Sequence, residues 1–173
     1  DPINVHGTHL KITSIDAGKK LTVRFMHHQT YGFNAFFAGD SIAFVNPQTL
    51  QPVAFAVLKN AIQANNREML LEVEGILPAN VISGLCIENL TWNPEVTILN
   101  SRFEHTNTRG LLLTTRRKIL VENNTFFRTG MHAILIANDA ASWFESGAVK
   151  DVTIRNNTFT ECGYNSAPGN FVI

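Results

Sequence analysis

A short pattern recurs three times in the second half of this chain: aliphatic, any, aliphatic, any, Asn, any, any, Phe. The copies occupy residues 96–103, 119–126 and 152–159. The first two start 23 residues apart and the third starts 33 residues after the second, consistent with a ten-residue insertion near 140–150. A repeat of about 23 residues that carries short strands and turns predicts the coils of a parallel β-helix.

Stacked coils place equivalent residues above one another, because neighbouring strands lie about 4.8 Å apart. We therefore expect an interior aromatic stack of Phe103, Phe126 and Phe159. Asparagine tolerates left-handed backbone, and its amide can bond to the neighbouring coil, so Asn should mark the bends. The predicted bend residues are Asn100, Asn123 and Asn156. A leucine-rich repeat has a similar period, but its Leu-x-x-Leu-x-Leu signature is missing.

A second type of strand recurs at residues 2–7, 84–89, 110–115 and 133–138. Side chains alternate across a strand, so one set should face the core. The predicted inward set is Ile3, Val5, Leu85, Ile87, Leu111, Leu113, Ile134 and Ile136. The outward set is Asn4, His6, Cys86, Glu88, Leu112, Thr114, Arg116, Leu135, Ala137 and Asp139. A solvent-facing row with His, Glu, Arg and Asp can bind a sugar, although outward positions are polar in any solenoid.

Residues 9–82 break the coil rhythm. Alternating apolar residues and turn residues predict strands at 20–26, 41–45, 53–57 and 69–73. Four or five antiparallel strands indicate a small inserted β-barrel or sandwich. The predicted fold is thus all-β: a coil strand at 1–8, an inserted antiparallel β-barrel at 9–82, and right-handed parallel β-helix coils at 83–173.

Composition excludes several classes of function. The chain has 14 Lys and Arg residues against 14 Asp and Glu residues, and this zero formal charge argues against a nucleic-acid partner. No apolar stretch approaches the ~18 residues of a membrane span. Cys86 and Cys162 match no metal-ligand spacing and leave one disulfide open as a possibility. We expect no metal and no cofactor.

The insertion at 138–147 is the strongest candidate for a binding loop. It leaves the coil at Asp139 and carries Trp143 and Glu145. An exposed Trp beside carboxylates suits the apolar face of a pyranose ring and its hydroxyls. Two structural alternatives remain: Trp143 and Phe144 pack the loop onto its coil, and Arg116 neutralises Asp139 from the neighbouring rung.

The chain starts at Asp1-Pro2 and stops in the apolar run 171–173. We expect it to be a segment of a longer protein that is secreted or periplasmic, with its signal sequence outside this segment. Unpaired coil ends would then favour self-association.

Several motifs together resemble glycoside hydrolase family 110. They are the stretches at 1–8, 26–33, 36–40, 109–115 and 138–147. The family comprises bacterial α-1,3-galactosidases that invert the anomeric centre and remove terminal galactose from blood-group B or linear glycans. Its fold is a parallel β-helix with inserted β-barrels. The resemblance covers essentially the whole chain, which would be about the middle third of such an enzyme.

The resemblance also implies catalytic Asp residues on neighbouring coils, including an Asp-Asp pair that leads into a strand. Asp1 matches the second member of that pair, and Asp139 is the other catalytic candidate. The candidate substrate-binding residues are Asn4, His6, Glu88, Arg116, Trp143 and Glu145. Because further carboxylates would lie outside this segment, the isolated chain should be inactive. A non-catalytic carbohydrate-binding β-helix and a purely structural β-helix remain alternatives.

Overall fold

The computed structural model describes residues 1–16, 19–165 and 171–173, which contain seventeen β-strands and no helix. The strands are β1 (Ile3–Val5), β2 (Gly7–Thr8), β3 (Leu10–Asp16), β4 (Lys20–Phe25), β5 (Ser41–Val45), β6 (Pro52–Asn65), β7 (Glu68–Val73), β8 (Cys86–Asn89), β9 (Val96–Leu99), β10 (Arg102–Thr106), β11 (Leu111–Leu113), β12 (Lys118–Glu122), β13 (Thr125–Thr129), β14 (Ile134–Leu135), β15 (Glu145–Ser146), β16 (Asp151–Arg155) and β17 (Thr158–Thr160). The predicted all-β class is confirmed.

The strands belong to two compact units. The coil unit comprises residues 1–6, 94–137 and 148–173, and the barrel unit comprises residues 7–93 and 138–147. Every sheet lies within one unit. The loop at 138–147, although it interrupts the coils in sequence, therefore belongs to the barrel unit.

Three parallel sheets build the coil unit. Their strand orders are β1-β11-β14, β9-β12-β16 and β10-β13-β17. Pairing joins residues 23 apart in the first two copies of the repeat, such as Ile119 with Val96, and residues 33 apart in the next two, such as Ile119 with Val152. The sequence period is thus the spacing between stacked rungs, which confirms the parallel β-helix.

The predicted aromatic stack is present. Phe126 pairs in register with Phe103 on one side and with Phe159 on the other. The ring centroids are 5.1 and 5.0 Å apart, with interplanar angles of 19° and 10°. The predicted inward residues of β1, β11 and β14 pack in the same core. Aromatic burial and stacking thus join three successive rungs.

The bends follow the prediction and add one detail to it. Asn100, Asn123 and Asn156 have φ of 51°, 58° and 55°, in the left-handed region. The amide ladder, however, lies one residue later. The buried Asn124 accepts from Ser101 N and donates to the carbonyl of Ile98, both at 2.9 Å.

The ladder continues into the next coil. Asn157 Oδ1 accepts from the backbone N of Asn124 at 2.9 Å and from its Nδ2 at 3.0 Å. Asn157 Nδ2 donates to the carbonyl of Val121 at 2.9 Å. Side-chain amides therefore satisfy backbone groups that the turn leaves unpaired, which buried polar groups require. A second left-handed bend, which the sequence analysis missed, comprises His105, Arg128 and Glu161.

The barrel unit contains a closed six-stranded barrel in the order β3-β4-β7-β6-β5-β8. All its strand pairs are antiparallel, and β3 closes onto β8. Alternating side chains fill the interior; the largest are Phe25, Phe36, Phe44, Met69, Leu10, Ile12, Leu21, Ile42, Leu58, Leu71 and Ile87. The predicted small antiparallel barrel is confirmed, and closure leaves it no open edge.

One strand assignment was wrong. Residues 86–89, predicted as a coil rung, form β8 of the barrel and pair with β3 and β5. Leu85 and Ile87 consequently pack in the barrel core and not in the coil core. The prediction failed because a short apolar run is compatible both with a strand of a parallel coil and with a strand of an antiparallel barrel.

The two thiols are free and differ in their surroundings. Cys86 is buried, and burial raises the pKa of its thiol to about 11, against a smaller opposing effect of Lys11. Cys162 is only partly buried.

Since the thiolate is the reactive form, we expect a maleimide at pH 8 to modify Cys162 and to modify Cys86 only after denaturation. Peptide mass spectrometry measures this, and rapid native labelling of Cys86 would contradict the barrel placement.

Asn124 should be the most sensitive polar residue of the coils. Asn124→Ala leaves Ser101 N and the Ile98 carbonyl unpaired, and we expect it to lower the free energy of unfolding by about 3 kcal/mol. Asn123→Gly is the matched control: Asn123 is exposed and left-handed, so its replacement should cost less than about 1 kcal/mol. Urea unfolding of both variants measures the difference, and equal stabilities would contradict the amide ladder.

Candidate functional site

The side chain of Asp139 organises the loop at 138–147. Its Oδ1 accepts from the backbone N of Ala141, Ser142 and Phe144 at 2.9, 2.7 and 3.2 Å. Its Oδ2 accepts from Trp143 N at 3.0 Å. Four consecutive backbone donors therefore converge on one carboxylate.

This geometry determines the charge of Asp139. Partial burial disfavours ionisation, but the backbone N–H groups of Ser142, Ala141, Phe144 and Trp143 outweigh it and lower the pKa of Asp139 below its ordinary value. The group is thus a stable carboxylate at neutral pH. General acid catalysis needs a protonated carboxyl group, so this environment does not suit that role.

Short antiparallel pairing and packing tie the loop to the rest of the barrel unit. Strand β15 pairs with β2, and His9 N donates to the carbonyl of Phe144 at 2.7 Å. Phe144, with a left-handed φ of 57°, is buried in a cluster with Val45 and Cys86. Phe144 therefore packs the loop within the barrel unit and not onto a coil, as the packing alternative had expected.

Trp143 differs from its neighbour because it stays 46% exposed. Its ring stacks on His27 with centroids 4.4 Å apart, and His27 in turn lies 4.5 Å from His28. Gln29 N donates to Nδ1 of His27 at 3.3 Å. His27 therefore supports the ring of the candidate sugar-binding Trp.

The two glutamates occupy different environments. Glu145 is partly buried on β15, opposite Thr8. Glu88 is 1% exposed, on barrel strand β8. The solvent-facing position predicted for Glu88 and Cys86 was wrong, because both residues are buried on barrel strand β8.

In the coil unit, Asp1 lies beside Arg109. Its Oδ1 accepts from Thr108 Oγ1 at 3.1 Å and from Arg109 N at 3.2 Å, and its Oδ2 is 3.4 Å from Arg109 Nη1. The register explains this, since Ile3 pairs with Leu111 two residues further along both strands. Arg109 is a candidate that sequence reasoning missed.

The other predicted site residues of the coil unit differ in their solvent exposure. Asn4 is exposed, whereas His6 and Arg116 are partly buried. Leu112 and Thr114, predicted to face solvent, are buried at 3% and 2% exposure. The expectation of one continuous polar row was therefore wrong at these rungs.

Two features are missing from residues 1–16, 19–165 and 171–173. Over these ranges, no group of three or more His, Cys, Asp or Glu side chains is arranged to hold a metal ion. In the same ranges, no helix has the length and apolarity to cross a membrane.

Two family models match the chain. A family model described as "Right handed beta helix region" matches residues 57–172. The chain belongs to the right-handed β-helix family. A second model, "GLAA-B beta-barrel domain II", matches residues 20–87, which lie in the barrel unit.

The relatives agree with the resemblance expected from the sequence. Over its full length, this β-helix chain is 48% identical to alpha-1,3-galactosidase A of Bacteroides fragilis, and it covers 29% of that protein. Alpha-1,3-galactosidase A of Akkermansia muciniphila is 48% identical over 94% of the chain and 27% of its own length. Alpha-1,3-galactosidase B of the same species is 41% identical over 92% of the chain and 20% of its own length. The chain thus spans less than a third of these relatives.

Two substitutions at Asp139 separate loop organisation from chemistry. Asp139→Ala removes all four acceptor contacts, and we expect amide exchange at residues 141–144 to accelerate about tenfold, the equivalent of one hydrogen bond of ~1.4 kcal/mol. Asp139→Asn keeps Oδ1, so only Trp143 N should lose protection. Hydrogen-exchange NMR measures each amide.

The pH dependence follows from the lowered pKa. The carboxylate contacts are complete above the ordinary Asp pKa and are lost only as the pH falls through the lower folded-state pKa. Loop protection should therefore persist through the usual carboxyl titration range. Loss of protection at the ordinary Asp pKa, or unchanged exchange in Asp139→Ala, would contradict the loop-organising role.

Proposed function

We propose that this chain is a segment of an inverting, exo-acting α-1,3-galactosidase that removes terminal α-1,3-linked galactose from blood-group B or linear glycans. The observation that carries the proposal is the 48% identity, over the whole chain, with an alpha-1,3-galactosidase A. The glycan is the proposed partner. Since the relatives are bacterial proteins, we propose a bacterial parent protein, and its secreted or periplasmic location stays a prediction from the sequence.

An inverting glycosidase needs one carboxylic acid to protonate the leaving oxygen and one carboxylate to activate water, roughly 6.5–9.5 Å apart. We assign Asp1 to the carboxylate role. Its ion pair with Arg109 places a positive charge beside it, and a carboxylate is the form that accepts a proton from water. The acid would come from a residue outside this segment.

Asp139 remains a catalytic candidate by prediction, but its contacts support positioning. All four of its backbone partners lie within its own loop. By holding residues 141–144, Asp139 fixes the exposed ring of Trp143 against His27. We propose that this ring stacks on a pyranose face, with Glu145 of the same loop as a hydrogen-bonding candidate. Within the coil unit, Asn4, His6 and Arg116 remain hydrogen-bonding candidates by prediction.

A carbohydrate-binding module without catalysis is the second candidate. It is favoured by one specific observation: four backbone donors occupy the Asp139 carboxylate beside the exposed Trp143 ring, which suits contact with a sugar and not the supply of an acid. In that case the parent protein would bind α-galactosylated glycans and release no galactose.

Galactose release by the full-length protein distinguishes the galactosidase from the binding module. We expect hydrolysis of Gal-α-1,3-Gal-β-1,4-GlcNAc with β-galactose as the first anomer seen by proton NMR, and no activity of the isolated 173-residue chain. Asp1→Asn should lower kcat about 10³-fold, because general base catalysis is lost.

Asp151→Asn is the matched control, since Asp151 is an exposed carboxylate at the start of β16, and it should retain full activity. Retention of the α-anomer would contradict inversion. A full-length protein that binds the trisaccharide but releases no galactose would establish the binding module instead.

A further inference from the structure

Trp92 has an unusual orientation for a surface tryptophan. It is 67% exposed, yet its one polar atom, Nε1, points inward and donates to Oδ1 of Asp40 at 3.1 Å. A surface Trp ordinarily buries its apolar ring and leaves the N–H to water. Trp92 does the reverse and presents its apolar ring to solvent.

Asp40 holds this ring through a buried network. Asp40 is only 4% exposed. Its Oδ2 accepts from Phe37 N at 2.8 Å and from Asn89 Nδ2 at 2.6 Å. Burial of a carboxylate is unfavourable unless hydrogen bonds compensate it. Three protein donors compensate it here, and two of them belong to Phe37 and Trp92.

Phe37 is fixed from both ends of a tight turn. Asp40 N donates to the carbonyl of Phe37 at 3.2 Å, and Gly39 within the turn has φ of 88°, which only glycine adopts easily. The Phe37 ring remains 47% exposed, 6.0 Å from the ring of Trp92 and at 58° to it. The two rings thus form one exposed aromatic surface.

Asn89 fixes the backbone that carries Trp92. Its Oδ1 accepts from the backbone N of Thr91 at 2.9 Å and of Trp92 at 3.2 Å, while its Nδ2 also donates to the carbonyl of Ala35 at 3.0 Å. Both sides of the aromatic surface are therefore rigid before any ligand binds, which lowers the entropic cost of binding.

We propose that Phe37 and Trp92 form a carbohydrate-contact surface that stacks on a hexopyranose ring of the glycan. This inference rests on the proposed function for its class of ligand. Asp40 is buried and bonded to three protein donors, so the surface can bind a sugar but supplies no acid or base. The hexopyranose that we assign to this surface is therefore one that is not cleaved.

The size of the surface favours a sugar over a protein partner. Two rings offer far less area than the roughly 800 Å² that each partner of a stable protein complex buries.

Binding of N-acetyllactosamine to the full-length protein tests the proposal directly. This disaccharide remains when the terminal galactose leaves a linear glycan, and it requires no hydrolysis to be studied. We expect Trp92→Ala and Phe37→Ala to weaken its binding about five- to tenfold in calorimetry, the loss of one aromatic contact. Trp92→Phe, which keeps a ring but lacks the N–H, should lose less.

Kinetics provide the second measurement. Trp92→Ala should lower kcat/KM for Gal-α-1,3-Gal-β-1,4-GlcNAc by a similar factor and leave kcat/KM for p-nitrophenyl α-galactoside unchanged. Phe55→Ala is the matched control, because Phe55 is a 61% exposed aromatic on the barrel strand β6, and both of its measurements should equal wild type.

The outcomes separate this surface from the proposed activity. Normal hydrolysis with wild-type disaccharide affinity in Trp92→Ala overturns the sugar surface and leaves the galactosidase proposal intact. Absence of hydrolysis of every galactoside by the wild type overturns the galactosidase proposal, while the calorimetry still decides on the surface. A changed oligomeric state in Trp92→Ala, measured by sedimentation, with unchanged affinity would assign the rings to a protein interface.

Discussion

In-register stacking of parallel strands is the constraint on which the coil unit depends. Each rung must place its Phe over the next Phe, and each turn must provide partners for backbone groups that the bend leaves unpaired. Asn124 and Asn157 meet the second requirement through their amides, and they do so across coils. A change at one rung therefore affects its neighbours, which is the energetic character of a solenoid.

Two aspartates of the barrel unit hold exposed aromatic rings in place through hydrogen bonds to nearby donors. Asp139 gathers four N–H groups and holds Trp143 over His27, and Asp40 gathers three donors and holds Phe37 and Trp92. In both cases the carboxylate is used for positioning, and the exposed ring is what a ligand would meet. Preorganisation of this kind favours recognition of a rigid ring such as a pyranose.

The repeat in the sequence predicted the coils well, because stacking demands the same residue type at the same rung. For that reason the stacked position of Phe126 and the bend at Asn123 could be predicted from the sequence. The place of strand 86–89 could not, since a barrel strand and a coil strand share the same apolar alternation. The alternation of side chains along the strand also predicted the wrong environment for Glu88. The Asp40 network has no local sequence pattern, because tertiary contacts bring Phe37, Asn89 and Trp92 together.

Ring-to-ring nuclear Overhauser effects in a protein with labelled Phe test the stacking most directly. The centroid separations of 5.1 and 5.0 Å predict cross-peaks from Phe126 to both Phe103 and Phe159. No cross-peak should join Phe103 to Phe159, because Phe126 lies between them. Absence of the two Phe126 cross-peaks, or a direct contact between the outer rings, would contradict the stacked coils and with them the placement of Asp1 beside Arg109.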